Sequence, residues 1–146
     1  EVTSKALKSL FKCLNNAGVS IPGTILKPNM VTSGSSATDQ ASIQEVAEMT
    51  VKCLKENVPT DVPGIAFLSG GQSDEDATAH LNRMNQIVEG NKPWNLSFSY
   101  GRALQQPALK AWMGKTENVG AAQEALLKRA KLNGLATMGE YSSDME

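Results

Sequence analysis

Apolar residues first recur at helical spacing. Leu7, Leu10, Phe11 and Leu14 form one stripe over Val2–Ala17, and Gly18 stands where such a helix stops. The period then changes. After Pro22, the run Gly23-Thr24-Ile25-Leu26-Lys27-Pro28-Asn29-Met30-Val31 reads as a strand over 24–31, with Ile25, Lys27 and Asn29 on one face and Thr24 and Leu26 on the other. Thr32-Ser33-Gly34-Ser35-Ser36 is a turn-forming loop after it. Ser42 with Glu45 three residues on is a capping-box signature, and Ile43, Val46, Ala47, Thr50, Val51 and Leu54 give a second helix over 42–57. Pro59 and Pro63 break the segment that follows.

The same sequence of events repeats twice. Ile65-Ala66-Phe67-Leu68 is a short continuous apolar run, consistent with a strand buried on both faces, and it stops at Ser69-Gly70-Gly71. A helix capped by Ser73 follows, with Asp74, Glu75 and Asp76 in its first turn and Ala77, Leu81, Met84 and Val88 inside, ending before Gly90. Leu96-Ser97-Phe98-Ser99-Tyr100 alternates large and small residues as a third strand and runs into Gly101-Arg102. Leu104, Leu109, Trp112 and Met113 predict a short helix broken near Pro107. Thr116 caps a longer helix carrying Val119, Ala122, Leu126, Leu127 and Ala130, which Asn133-Gly134 closes. Three consecutive βα units with parallel strands result: an α/β fold in which all three strand ends and their loops lie on one edge, the edge where such sheets bind ligands. The predicted division is residues 1–134 for these units and 135–146 for a flexible polar tail.

Composition adds exclusions. The 146 residues are 40% hydrophobic and 20% charged with a formal net charge of −1, so one domain is expected and no basic field for nucleic acid or a membrane surface. No apolar run approaches a membrane span and no secretory signal pattern opens the chain, which gives the expectation of a cytoplasmic protein. Cys13 and Cys53 lack metal or redox spacing and read as reduced core thiols, against the alternative of a disulfide between them. His80, a lone histidine, is placed on the exposed part of its helix; one histidine builds no metal site, so neither a metal nor another cofactor is expected. Trp94 and Trp112 read as packing residues.

The candidate chemistry gathers at the shared edge. Lys27 is a lysine inside an otherwise uncharged, apolar segment, where it either guards an edge strand or has a chemical job. The Ser69-Gly70-Gly71 loop leads into a helix and offers backbone donors to an anion, though a tight turn with no ligand has the same sequence; it lacks the pattern of a P-loop or a dinucleotide site. Arg102 beside it shifts the balance toward phosphate, since a guanidinium forks onto phosphate oxygens. A lysine partly desolvated near such a cationic site keeps free amine for attack on a carbonyl carbon, the start of Schiff-base chemistry on a phosphorylated ketone or aldehyde.

Three runs carry a resemblance: Gly23 to Thr32, Phe67-Leu68-Ser69-Gly70-Gly71-Gln72-Ser73, and Lys92-Pro93-Trp94 through Phe98-Ser99-Tyr100-Gly101-Arg102-Ala103-Leu104. With Ala108 to Trp112, Glu117-Asn118-Val119 and Ala121 to Glu124, they resemble the class I fructose-bisphosphate aldolases up to about Tyr141. The resemblance implies a partial TIM (β/α)8 barrel, with Lys27 as the Schiff-base lysine. It further implies that Ser69, Gly70 and Gly71 hold a substrate phosphate through loop donors, completed by Ser99, Gly101 and Arg102. It also implies glycolytic cleavage of fructose 1,6-bisphosphate to dihydroxyacetone phosphate and glyceraldehyde 3-phosphate, and a homotetramer. The chain departs from the family in carrying Pro22-Gly23 for the usual Glu-Gly and in ending Asp144-Met145-Glu146 rather than in a tyrosine. It supplies three of the eight βα units of such a barrel, without the upstream strands that bear the family's acid/base carboxylates. The expectation is a C-terminal portion, inactive alone, against the alternative of a non-catalytic phosphate-binding or interaction remnant that associates with full-length aldolase.

Overall fold

The computed structural model describes residues 1–88, 90 and 93–146; Lys92, part of one matching run, lies outside them. Along the chain run α1 (Val2–Asn16), β1 (Ile25–Leu26), α2 (Ile43–Asn57), β2 (Gly64–Phe67), α3 (Asp74–Ile87), β3 (Asn95–Phe98), α4 (Arg102–Trp112) and α5 (Val119–Met138). The strands form a parallel sheet in the order β1-β2-β3, with Ile25 opposite Gly64 and Gly64 opposite Asn95. Strands alternate with helices, as in part of a TIM barrel.

Local signals explain most of these elements. The capping box that opens α2 is complete: Glu45 N donates to Ser42 Oγ at 3.3 Å, and Ser42 N donates back to Glu45 Oε2 at 2.8 Å. Ser73 caps α3 by accepting from Asp76 N at 2.9 Å. The core lies between the sheet and α2, α3 and α5, where Phe67, Ile65, Leu81, Met84 and Leu54 are all but sealed from solvent. Trp94 packs as predicted, its indole N–H donating to the Pro59 carbonyl at 2.8 Å.

Several expectations are corrected. The lysine segment is a strand for two residues rather than over 24–31: Pro28 has no N–H to continue the ladder, and only its carbonyl is still used, accepting from Leu68 N at 3.0 Å. The predicted alternation nonetheless persists, with Ile25, Lys27 and Asn29 exposed while Pro28 and Met30 are buried. Pro107 does not break α4, which runs through it packed along α5; the proline removes one N–H and the neighbouring helix holds the turn. Nor does α5 stop at Asn133-Gly134. Asn133 is fully buried and donates to the Arg129 carbonyl at 2.9 Å, so its side chain supports the helix, which continues to Met138 and ends at Gly139 with φ 76°. Of the residues read as tail, 135–138 therefore belong to α5, Tyr141 is buried, and Glu146 accepts from Arg129 Nη1 at 2.7 Å. Cys53 is a buried free thiol, whereas Cys13 is exposed. Trp112 is also exposed, against an apolar recess with Leu109, Val119 and Leu126. His80 is buried rather than exposed, because α3 lies between α2 and α5 and is covered on more than one side.

Candidate functional site

The loop after β2 is built by its two glycines. Gln72 N donates to the Ser69 carbonyl at 3.1 Å, closing a turn whose central residues Gly70 and Gly71 have φ of 61° and 85°. Two successive positive φ values define the mirror-image turn class, which side chains with a Cβ disfavour. The turn leaves the Gly70 and Gly71 N–H groups without acceptors among the described residues. A Cβ on Gly71 would stand 3.7 Å from Arg102 Nη2, so the guanidinium of the β3–α4 corner lies directly against the glycine loop.

That corner is fixed from below. Ser99 N donates to the Phe67 carbonyl at 2.8 Å, carrying the β2–β3 pairing one residue beyond the strand. Tyr100, buried, donates its hydroxyl to the Ala77 carbonyl of α3 at 2.9 Å, and burial pushes its phenol well above the ordinary range. Tyr100 is thus an anchor that sets Gly101 and Arg102 beside α3. Gly101 caps α4 without a side chain, and no acidic residue follows in the first turn. The positive end of α4 is therefore uncompensated, whereas that of α3 is met by Ser73 and three carboxylates.

Gly71, Gln72, Ser73, Asp74, Arg102, Gln106 and Lys110 line a cleft of about 530 Å³. Arg102, Gln106 and Lys110 are spaced four apart and share a face of α4. The sequence places the anion at the Ser69-Gly70-Gly71 loop, the start of α3 and Arg102, and does not include Lys110; the two-turn spacing from Arg102 through Gln106 is the available signal. No ion pair engages Arg102 or Lys110 among the described residues.

Of the predicted site residues, the structure thus brings Gly71 and Arg102 together, with Gly70 and Gly101 beside them. Ser69 is buried and contributes its carbonyl to the turn; Ser99 is exposed at the end of β3. Lys27 stands apart from Arg102 but beside the glycine loop: it follows β1, about 5 Å from the neighbouring β2 and about 10 Å from β3 by ordinary strand spacing, and the carbonyl of the next residue, Pro28, accepts from Leu68 N at 3.0 Å. The Lys27 side chain is exposed and lines neither cleft beside the glycine loop, so the partial desolvation expected of it is not supplied by this chain's own residues.

Comparison with known proteins gives this arrangement a family. The model of class-I fructose-bisphosphate aldolase matches residues 1–146. A probable fructose-bisphosphate aldolase class 1 of Xanthomonas axonopodis pv. citri is 58% identical over 142 residues, 97% of this chain and 42% of the relative. The cytoplasmic isozyme 2 of the pea, Pisum sativum, is 56% identical over 140 residues, 96% of this chain and 38% of the relative. Among solved structures, fructose-bisphosphate aldolase of Plasmodium falciparum, in complex with TRAP and a small-molecule inhibitor, superposes with a TM-score of 0.93 at 50% identity over 97% of this chain and 40% of that one. The chain spans about two fifths of the length of the curated relatives it matches. Along the chain come the lysine segment, the glycine loop and the cationic helix start, and the match over residues 1–146 makes the chain a member of the class-I fructose-bisphosphate aldolase family.

Proposed function

We propose that this chain carries the imine-forming lysine and one phosphate-binding site of a class I aldolase acting on fructose 1,6-bisphosphate. The observation that supports it most is the close approach of Arg102 to Gly71, which sets a guanidinium, the unbonded Gly71 N–H and the start of α4 around one cleft, with the unbonded Gly70 N–H on the cleft adjoining it. A phosphate there meets charge-assisted donors from several directions.

In this reading, the substrate phosphate anchored at the cleft places the ketone carbon toward Lys27. The lysine amine adds to that carbon, and the carbinolamine loses water to give a protonated imine. The bond between the third and fourth carbons then breaks. Its electron pair flows toward the iminium nitrogen, and the proton of the fourth carbon's hydroxyl leaves to a base. The triose aldehyde phosphate departs, and the enamine is reprotonated and hydrolysed to dihydroxyacetone phosphate. Both proton-transfer steps need a placed acid or base. The carboxylates lining the clefts beside the glycine loop, Asp74 and Asp76, belong to the first turn of α3. We assign the acid/base steps to residues outside this chain. The family also supports a cytoplasmic location, as in the pea relative's name, and a homotetramer for the whole enzyme.

Borohydride reduction in the presence of dihydroxyacetone phosphate tests the assignment. The reduced adduct is expected on Lys27 when peptides are mapped by mass. Adducts spread over Lys110, Lys128 and other exposed lysines would overturn it.

A further inference from the structure

The glycine loop is held from behind by a file of hydrogen bonds that ends on the chain's single histidine. Gln72 Nε2 donates to the Ser69 carbonyl at 2.7 Å and lies 3.6 Å from Met30 Sδ, while Gln72 Oε1 meets His80 Nδ1 at 2.6 Å. The Ser69 carbonyl can only accept, so the amide must turn its nitrogen to Ser69 and its oxygen to His80. Nδ1 is therefore the nitrogen that carries the proton, and Nε2 holds the lone pair. His80 is 6% exposed, and Nε2 is buried with no partner among the described residues. A second proton would strand both a charge and an N–H group there. Burial accordingly pushes the imidazole below its ordinary value, against a weaker opposing pull from Asp76 on the same helix. Across the adjoining cleft, the lining residues Thr32, Ser33, Ser35, Gln40, Ile43 and Val46 present hydroxyls, an amide and apolar groups, none of them charged; Asp39 and Glu45 of the same stretch do not line it.

The Ser69 carbonyl already receives the backbone N–H of Gln72, so the turn itself closes without the side chain. What the amide adds is a connection from the turn to α3 through His80 and to the lysine segment through Met30. We propose that His80 is a positioning residue for the phosphate loop: its Nδ1–H fixes the Gln72 amide, the amide fixes the Ser69 carbonyl, and the Gly70 and Gly71 N–H groups thereby keep their anion-ready arrangement while His80 is neutral.

The anion-ready part of this claim rests on the phosphate reading above; the coupling of His80 to the loop does not. Nitrogen-15 spectra of the full chain read both, since one histidine gives one set of ring signals. The Nδ1–H tautomer is expected at pH 7.5, with a midpoint below about 6.5 and with the Gly70 and Gly71 amide signals moving at that same midpoint. His80→Asn keeps a nitrogen donor one bond from Cγ, where Nδ1 stands; it should preserve the glycine signals and abolish their titration. His80→Leu removes the donor and should shift the glycine signals at neutral pH and weaken inorganic phosphate binding about fivefold, the loss of one hydrogen bond. An Nε2–H tautomer, glycine signals indifferent to the His80 titration, or a folded His80→Leu chain with wild-type phosphate affinity would each overturn the proposal. If wild-type chain binds no inorganic phosphate, the phosphate reading fails by itself, and the glycine titration still decides whether His80 governs the loop.

Discussion

Replacing Arg102 by alanine removes the one guanidinium in the proposed phosphate cleft and little else. Its side chain is exposed, forms no ion pair among the described residues, and sits at the first position of α4, where alanine is a good helix former. The fold should therefore be untouched. A hydrogen bond from a charged donor contributes about 1.5–3 kcal/mol, and exposure to water puts Arg102 at the lower end. Phosphate affinity should fall about tenfold, since about 1.4 kcal/mol corresponds to a factor of ten. The Gly71 N–H, the start of α4 and Lys110 remain, so binding is weakened rather than abolished. Calorimetric titration with dihydroxyacetone phosphate at fixed ionic strength measures the loss, and far-ultraviolet dichroism checks that helix content is unchanged. An Arg102→Ala chain that is folded and binds with unaltered affinity would move the phosphate away from this cleft and remove the main support for the functional reading.

Three further outcomes follow from the same structure. Arg129 is 3% exposed, donates to the Asp74 carbonyl at 2.9 Å and to Thr78 Oγ1 at 2.6 Å, and pairs with Glu146, so Arg129→Met should cost about 3–5 kcal/mol in urea unfolding. His80 has a folded-state value below its unfolded one, so its contribution to stability is fully present above about pH 6.5 and is lost as pH falls toward the folded value; unfolding midpoints of wild type and His80→Asn should diverge below about pH 6.5, with a slope of up to about 1.4 kcal/mol per pH unit. The 146-residue chain by itself should form imine slowly and release no triose from fructose bisphosphate in a coupled assay; turnover at an ordinary enzyme's rate would show that the acid/base steps lie within these residues.

Much of this was legible in local chemistry. The α2 capping box, the Ser73 cap and the odd-even exposure of residues 25–30 all depend on groups within a few positions of one another, and the sequence displays such groups directly. What it hid was set by packing between distant segments. Asn133-Gly134 has the composition of a helix stop, yet Thr78, 55 positions away, donates to Asn133 Oδ1 and makes that side chain a fixture of the interior. His80 was misplaced by its chemical type; it stands three residues after Ala77 and four before Met84, both buried, so the spacing alone put it on the inner side. The candidate site divides in the same way. Gly70, Gly71 and Arg102 follow from turn chemistry and charge, whereas the spacing that relates Lys110 to Arg102 has meaning only because one helix runs straight through Pro107.

The buried polar contacts between α3 and α5 carry a consequence for how the molecule opens. Thr78, Asn133 and Arg129 are joined across the two helices, and Asn85 reaches both the Ala136 carbonyl of α5 and the Leu96 carbonyl of β3. To separate these helices exposes apolar surface and breaks several buried hydrogen bonds in the same event, so fraying by degrees gains nothing. In native-state hydrogen exchange, the middle of α3, the second half of α5 and β3 should thus behave as one cooperative unit with the slowest amides in the chain. β1, two residues long and paired on one side only, should exchange early and separately. Lys27, next to β1, would then lie in a fast-opening part of the molecule, and Arg102, which follows β3, beside a slow one.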